Sequence, residues 1–282
     1  MPASDTANCT LSTCPIDSAF VDYQPSIPAN ALFIGVFSLL LLLQLGLGLW
    51  YRTWSFVIAM SCGLILEVLG YIGRLILHHN PFNFSGFLMY LIPLTIGPAF
   101  FSAAIYLCLA KIVKIYGEGI SRIRPRMYTL IFISCDLLSL ILQAAGGAIT
   151  STADTQSLTN TGINIMIAGL AFQVFSLALF ICLSAEFLMR VRRHPKEKNP
   201  TTGALRESMK WKWFLFALTA ATVTIFVRSI FRVAELQGGF DSSLANDQTA
   251  LMVLESTMIA IACICLTGGH PAVIMNRNWN SI

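Results

Sequence analysis

Seven ionisable side chains lie inside long apolar stretches of this sequence, where charged residues are uncommon. They are Glu67, Arg74, Asp136, Arg228, Arg232, Glu235 and Glu255. A charged side chain in hydrocarbon is costly, so each one needs a partner, a water-filled cavity or a function. These residues, together with the uncharged Tyr71, Gln143 and Gln173 in the same stretches, are therefore the candidate substrate-binding residues.

The spacing of these residues indicates that several share a helical face. Two triplets have members three or four residues apart, namely Glu67, Tyr71 and Arg74, and Arg228, Arg232 and Glu235. Such spacing lines one side of an α-helix. Because Arg228 and Arg232 carry like charge one turn apart, we expect an anionic group or several carboxylates between them. A phosphate or carboxylate head group would qualify, and the alternative is a purely structural ion-pair network.

The stretches that carry these residues are long enough to cross a bilayer. The 282 residues are 56% hydrophobic and 11% charged, and about 20 apolar helical residues span the hydrocarbon layer. Seven spans are predicted, at Ala31 to Trp50, Trp54 to Leu77, Phe87 to Ile112, Met127 to Ile149, Ile163 to Phe187, Trp213 to Leu236 and Thr249 to Gly268. The predicted fold is an all-α membrane protein, a seven-transmembrane helix bundle.

The basic residues predict the orientation of this bundle. Apart from the three arginines inside spans, every Lys and Arg follows span 1, 3, 5 or 7 or, like Lys111, lies at the end of span 3 next to the 3/4 loop, and the other side has none. Since basic loops stay on the cytoplasmic side, we expect the N-terminus outside and the C-terminus in the cytosol. The expected organisation is an extracellular segment at 1–28, a membrane domain at 29–270 and a cytosolic tail at 271–282.

With this orientation, all the buried charges except Asp136 fall in the outer half of the membrane. We therefore expect an outward-facing polar vestibule between spans 2, 6 and 7, which Asp136, Gln143 and Gln173 extend inward. Pro93 and Pro98 should bend span 3 and release backbone carbonyls from helical pairing.

The predicted outer segments contain candidate modification sites. Asn8 and Asn83 each begin a glycosylation-type triplet. Cys9 and Cys14 are the cysteines outside the spans, and an oxidising compartment would let them form a disulfide. Two unpaired thiols remain the alternative.

The motifs of several enzyme classes are missing from the sequence. It contains no P-loop, its four histidines fall on segments that cannot meet to bind a metal, and span 7 has no lysine for a retinal Schiff base. We expect no enzyme activity, no cofactor, no metal and no nucleic-acid partner. The basic segment 190–212, with Trp211 and Trp213, is expected to contact anionic lipid of the inner leaflet.

Beyond these physical arguments, the sequence resembles the fungal RTA-like family of seven-span lipid-translocating exporters and resistance proteins. The resemblance extends from about Tyr23 to His270. The residues that carry it are Pro25-Ser26, Asn30, Glu67, Gly70, Tyr71, Arg74, Pro98, Ala99, Ala103, Tyr106, Asp136, Gln143, Gly146-Gly147, Gly162, Gly169, Gln173, Arg228, Phe231, Arg232, Glu235 and His270-Pro271. The sequence departs from the family pattern at Asp247, Met252-Val253, Glu255 and Ala272.

The resemblance implies movement or release of amphiphiles such as sphingoid bases, phospholipids, sterol-like toxins or tetrapyrroles. The leading hypothesis is ATP-independent translocation at the plasma membrane that confers resistance, with membrane lipids and an amphipathic small molecule as partners. Arg228 and Arg232 would meet an anionic head group, while Glu67, Asp136 and Glu255 would bind an amine or carry a proton. The alternatives are a seven-span sensor of lipid or toxin stress, and an adaptor that stabilises another transporter.

Overall fold

The structure is a computed structural model that describes residues 23–153, 155–193, 202–237, 248–271 and 273. In these ranges the regular secondary structure is helical. The seven long helices are α1 (Ile27–Tyr51), α2 (Trp54–His79), α3 (Phe84–Tyr116), α4 (Pro125–Ser151), α5 (Gln156–Arg193), α6 (Met209–Gln237) and α7 (Gln248–Gly268). A 3₁₀ turn at Glu118–Ile120 and a short helix at Gly203–Glu207 lie between them.

The seven-helix prediction is confirmed, and all seven helices are long and apolar enough to cross a membrane. Each predicted span lies within one of these helices, and several helices continue past the apolar stretch. The longest, α5, has 38 residues, which makes it about 57 Å long, against a hydrocarbon thickness of about 30 Å. Its last turn contains Arg190, Arg192 and Arg193, so this basic end extends beyond the apolar layer.

Helices α2 and α3 approach each other closely at two glycines of α2. A Cβ at Gly73 would lie 2.5 Å from the backbone nitrogen of Tyr90 and 2.7 Å from the carbonyl carbon of Met89. A Cβ at Gly70 would overlap the side chain of Leu94. Since Pro93 has no N–H, the Met89 carbonyl loses its usual helical donor, and the missing side chain of Gly73 lets α2 pack directly against it.

Helices α4 and α5 are joined in the same way. A Cβ at Gly146 would lie 2.6 Å from the carbonyl oxygen of Gly162, and one at Gly162 would lie 2.8 Å from the carbonyl oxygen of Gly146. Small residues that permit such backbone contact are typical of membrane helix interfaces. The bundle is therefore built on two close pairs, α2 with α3 and α4 with α5, and α6 and α7 complete it.

At the basic end of α6, the two tryptophans differ in environment. Trp213 is 55% exposed, as expected for a residue that faces lipid. Trp211 is buried, and its Nε1 donates to the hydroxyl of Tyr116 at 3.1 Å. Trp211 therefore packs against the end of α3 and does not face outward, and the contact of segment 190–212 with lipid stays a prediction.

We predict that Gly73→Ala will destabilise the protein by about 1–3 kcal/mol, the usual cost of forcing a methyl group into a packed site. The contacts at Gly73 are backbone atoms, which cannot rotate away. Gly46→Ala is the matched control, because a Cβ there meets nothing within 4 Å. Thermal denaturation in detergent measures both variants, and equal midpoints would contradict this view of the α2–α3 contact.

His270, just beyond α7, should make stability depend on pH. Burial lowers the pKa of His270 to about 4, whereas an unfolded histidine titrates near its ordinary value of about 6.5. Below that value the unfolded state binds more protons, so stability should fall with pH by up to about 1.4 kcal/mol per unit until about pH 4. The His270→Gln variant should lose this component when melting is compared from pH 7 to pH 4. An unchanged slope would show that His270 is not responsible.

Candidate functional site

Four charged side chains of α6 and α7 form a buried ion-pair network. Arg228 Nη2 donates to Glu255 Oε1 at 2.9 Å, and Arg232 Nη1 donates to Glu235 Oε2 at 2.8 Å. Arg232 Nε also lies 3.7 Å from Glu255 Oε1. Glu255 is thus the carboxylate expected between the two arginines, and it offsets their mutual repulsion.

The backbone of α7 helps to place Glu255. Residues Leu251–Thr257 form a π-helical segment, and the hydroxyl of Thr257 donates to the carbonyl of Met252 at 2.9 Å. Such segments often occur at functional sites. Here the segment contains Met252, Val253 and Glu255, at which the sequence departs from the family pattern.

Helix α3 contributes polar atoms to the network, including a backbone carbonyl that has no helical donor because of a proline. Pro98 has no N–H to donate to the carbonyl of Leu94 one turn earlier. Arg228 Nη2 donates to this carbonyl at 2.6 Å, and Arg232 Nη2 donates to the hydroxyl of Thr95 at 3.3 Å. The prediction that a proline frees a backbone carbonyl is therefore confirmed at Pro98, and the structure adds that Arg228 uses this carbonyl.

Arg74 of α2 has neutral partners instead of a carboxylate. Its Nε donates to Asn30 Oδ1 at 3.0 Å, its Nη2 donates to the hydroxyl of Tyr23 at 2.9 Å, and its guanidinium carbon lies 5.0 Å from the ring centre of Tyr90. Burial raises the pKa of Tyr23, and the nearby Arg74 cation opposes that shift. Tyr23 therefore remains a neutral phenol that accepts a hydrogen bond from Arg74.

Glu67 and Tyr71 lie on the same face of α2 and are almost fully buried. Glu67 Oε1 makes no hydrogen bond within the described part of the chain, and the Tyr71 hydroxyl lies near Ser256 of the π-helical segment without good hydrogen-bond geometry. A Cβ at Gly97 of α3 would lie 2.9 Å from Glu67 Oε1, so the missing side chain there makes room for the carboxylate. Gly97 is three residues from Leu94, whose carbonyl binds Arg228. The carboxylate of Glu67 therefore lies within about one helical turn of that carbonyl.

Asp136 of α4 occupies a separate position. Its Oδ2 accepts a hydrogen bond from the hydroxyl of Tyr106 at 3.0 Å, and its Oδ1 has no partner among the described residues. Aromatic rings surround this pair, with the ring centres of Phe132 and Phe180 at 5.5 Å and 4.6 Å from that of Tyr106.

The two glutamines connect α4 with α5. Gln143 Nε2 donates to Gln173 Oε1 at 3.2 Å and to the hydroxyl of Ser139 at 2.9 Å. Ser139 in turn donates to the carbonyl of Gly169 at 2.5 Å. This polar strip satisfies most of its own hydrogen bonds, as helix contacts within a membrane require.

The ten candidate residues lie in separate groups and do not form one continuous polar surface. Gly97, which is next to Glu67, and Tyr106, which binds Asp136, are about two and a half turns apart and so face opposite sides of α3. Helix α3 thus separates the charges of α2, α6 and α7 from Asp136. An open vestibule is not seen at these residues, since the seven ionisable residues are each at most 8% exposed.

Several site residues were not among the candidates identified from the sequence. Tyr23, Asn30 and Tyr90 hold Arg74, while Thr95 and the carbonyl of Leu94 bind the arginines of α6. Leu94 was within reach of sequence reasoning, because its carbonyl is the one that Pro98 leaves without a donor. The partners of Arg74 required the packing of α1 and α3 against α2, which no local pattern reveals.

Other predictions concern residues that the structure does not test. Asn8, Cys9, Cys14, Asp247 and Ala272 lie outside the described residues. Asn83 is described, and its side chain caps α3 by accepting a hydrogen bond from the backbone nitrogen of Gly86 at 3.1 Å. Its glycosylation stays a prediction.

The fold and site define a class of protein, a polytopic helical membrane protein with a closed ionic network in its core. A family model described as RTA1 like protein matches residues 60–278. The chain therefore belongs to the RTA1-like family.

Three Saccharomyces cerevisiae proteins are similar to this chain. The sphingoid long-chain base transporter RSB1 is 35% identical over 94% of this chain and 77% of its own length. Protein RTM1 is 29% identical over 77% of this chain and 68% of its own length. The protoporphyrin uptake protein 1 is 28% identical over 73% of this chain and 66% of its own length. No solved structure matches the chain.

We predict that Glu255→Gln will destabilise the protein by about 3–5 kcal/mol, because it leaves two buried arginines facing each other. Glu186→Gln is the control. Glu186 pairs with Arg122 and Arg190 near the surface, where ion pairs contribute about 0–1 kcal/mol. Thermal denaturation in detergent should separate the two variants, and similar midpoints would show that Glu255 does not hold α6 and α7 together.

Proposed function

We propose that this protein moves amphipathic lipids or toxins across the plasma membrane without ATP, and that sphingoid long-chain bases are its principal substrate class. Phospholipid and sterol-like amphiphiles are further members of the proposed range. Export of such compounds would confer resistance to them.

The observation that carries this proposal is the incomplete pairing of the buried charges. Arg228, Arg232, Glu235 and Glu255 neutralise one another, as a purely structural network would. Glu67, Arg74 and Asp136 take part in no ion pair among the described residues, although they are 2%, 1% and 4% exposed. An ionisable group kept unpaired at membrane depth is typical of a substrate or proton pathway.

The family relationship supports the substrate class. RSB1, which is aligned with nearly the whole of this chain, is a sphingoid long-chain base transporter by name. A sphingoid base carries an ammonium group, which a carboxylate without a cationic partner is suited to bind. Glu67 and Asp136 are such carboxylates, and we propose that they bind the amine or carry a proton.

We propose different roles for the charges of the network. Arg228 and Arg232 would meet an anionic group of a substrate when Glu255 moves away, and Glu255 would carry a proton or replace the substrate between them. Gln143 and Gln173 would provide neutral hydrogen-bonding groups on the far side of α3. In this view the closed network is the resting state, and transport requires its opening.

The orientation and boundaries also remain proposals. We propose an extracellular N-terminus, with 1–28 outside, 29–270 as the membrane domain and 271–282 in the cytosol. The segregation of Lys and Arg in the sequence supports this topology. The absence of a P-loop from the 282 residues supports transport that does not depend on ATP.

The test is leaflet exchange of a fluorescent sphingoid base in proteoliposomes that contain no nucleotide. Wild-type protein should accelerate exchange of this base, and of a fluorescent phospholipid, over empty liposomes. Arg228→Ala and Arg232→Ala should each lower the acceleration for the phospholipid, whose phosphate is the anionic group that they would meet, by about tenfold or more, as expected for loss of a charged hydrogen-bond donor. Arg122→Ala is the control, since Arg122 is exposed and pairs at the surface.

A paired variant separates folding from transport in this experiment. The double substitution Arg228→Ala with Glu255→Ala removes a cation and its anion together, so it should melt closer to wild type than Arg228→Ala alone and still fail to exchange lipid. Exchange unchanged in both arginine variants would refute their proposed roles. Saturable binding of the base by wild-type protein without any exchange would instead favour a sensor.

A further inference from the structure

Three buried polar side chains follow one another along a single face of α2, and each has an atom that makes no hydrogen bond among the described residues. These atoms are Glu67 Oε1, Tyr71 Oη and Arg74 Nη1. The three side chains are 2%, 0% and 1% exposed. Their spacing of four and three residues places them in a line about 10 Å long. We call these three residues the α2 row.

Such a line of unsatisfied groups is unusual in a folded protein. Buried polar groups are nearly always hydrogen-bonded, and one left without a partner retains its desolvation cost. Arg228 and Glu255 also have an unpaired atom each, but their other atoms form an ion pair. Glu67 makes no side-chain hydrogen bond within the described ranges, and the Tyr71 hydroxyl has only the Ser256 hydroxyl nearby, without good hydrogen-bond geometry. The α2 row is therefore suited to a ligand that supplies the missing hydrogen bonds.

The kinds of polar group along the row limit which ligand fits. A carboxylate lies at one end, a phenol in the middle and a guanidinium at the other end. The carboxylate suits a cation, while the phenol and the guanidinium suit oxygen atoms. A matching head group carries an ammonium and hydroxyl oxygens on neighbouring carbons.

We propose that the α2 row binds the 2-amino-1,3-diol head group of a sphingoid long-chain base. The ammonium forms an ion pair with Glu67. One hydroxyl forms a hydrogen bond with the Tyr71 hydroxyl, and the other accepts a hydrogen bond from Arg74 Nη1. This inference rests on the proposed function and names the residues that recognise the head group. N-acylation of the base removes the positive charge, so an N-acyl derivative could not form an ion pair with Glu67.

The surroundings of the row hold it in place for this role. The ring of Tyr71 stacks on Phe33 and Phe37 of α1, with ring centres 5.3 Å and 5.6 Å away. Arg74 is fixed by Asn30 and Tyr23, which leave Nη1 unused. The row is thus rigid before ligand arrives, which lowers the entropic cost of binding.

The same surroundings indicate a path for the alkyl chain and a cover for the site. Phe33 is partly exposed, and the adjacent Leu32 is 64% exposed on α1, so the aromatic stack leads from the row to the lipid. At the end of α2 near Arg74, Gln24 Nε2 donates to the carbonyl of His78 at 3.0 Å, and His78 Nδ1 donates to the carbonyl of Pro25 at 2.7 Å. The segment before α1 therefore closes this end in the present conformation.

The experiment measures equilibrium binding of radiolabelled sphinganine to the full chain in nanodiscs of neutral phospholipid. N-acetylsphinganine and octadecylamine are competitors that lack the ammonium and the two hydroxyls, respectively. Wild-type protein should prefer sphinganine over both. Glu67→Gln should weaken sphinganine binding by about tenfold or more, and Tyr71→Phe by about threefold to tenfold.

Matched controls and a second measurement keep the outcome clear. Glu186→Gln and Tyr128→Phe remove a surface carboxylate and a buried phenol away from the row, and both should bind as wild type. Because Glu67 makes no hydrogen bond among the described residues and Tyr71 has only a weak contact with Ser256 to lose, their variants should melt near the wild-type temperature. Binding that is unchanged in both row variants, or N-acetylsphinganine that binds as well as sphinganine, would overturn the assignment.

Binding and leaflet exchange distinguish this inference from the proposed function. Binding that depends on the row without any exchange would leave the head-group site in place and refute transport. Exchange that proceeds normally in Glu67→Gln and Tyr71→Phe would leave transport in place and refute the site.

Discussion

The contact between Arg228 and Glu255 joins three separate parts of the bundle. It links α6 to the π-helical segment of α7, and the same guanidinium nitrogen binds the Leu94 carbonyl that Pro98 releases in α3. A membrane interior offers no water to replace any of these partners. These three features therefore depend on one another: the proline of α3, the irregular turn of α7 and the arginine of α6. Each would destabilise the fold if the other two were missing.

The close helix pairs serve this arrangement. Because Gly73 and Gly70 bring α2 directly against α3, Glu67 reaches the part of α3 that the network uses. Asparagine and tyrosine side chains from outside α2 then hold Arg74 without a carboxylate. The core combines a compact neutral quartet of charges with an adjacent helix face on which charges remain unpaired. The first stabilises the bundle, and the second is the face that we propose as the ligand site.

The sequence was sufficient for some of these features and insufficient for others. Seven helices and the shared faces of the two triplets follow from hydropathy and helical periodicity, which are local properties. The role of Pro98 follows from its missing N–H. The separation of Asp136 from the other charges does not, because it depends on which side of α3 faces α2 and which faces α4. The burial of Trp211 likewise results from contact with Tyr116, far away in the chain.

The π-helical segment of α7 gives the network a way to rearrange. A π turn contains about one residue more than an α turn, and that surplus residue can migrate along a helix as neighbouring hydrogen bonds exchange partners. Each residue that it passes rotates by about 100°, while the helix ends keep their positions. Migration past Glu255 would turn its carboxylate away from both arginines by a local rotation. Such a migration would change the pairing in the core of this bundle without any helix having to slide or tilt.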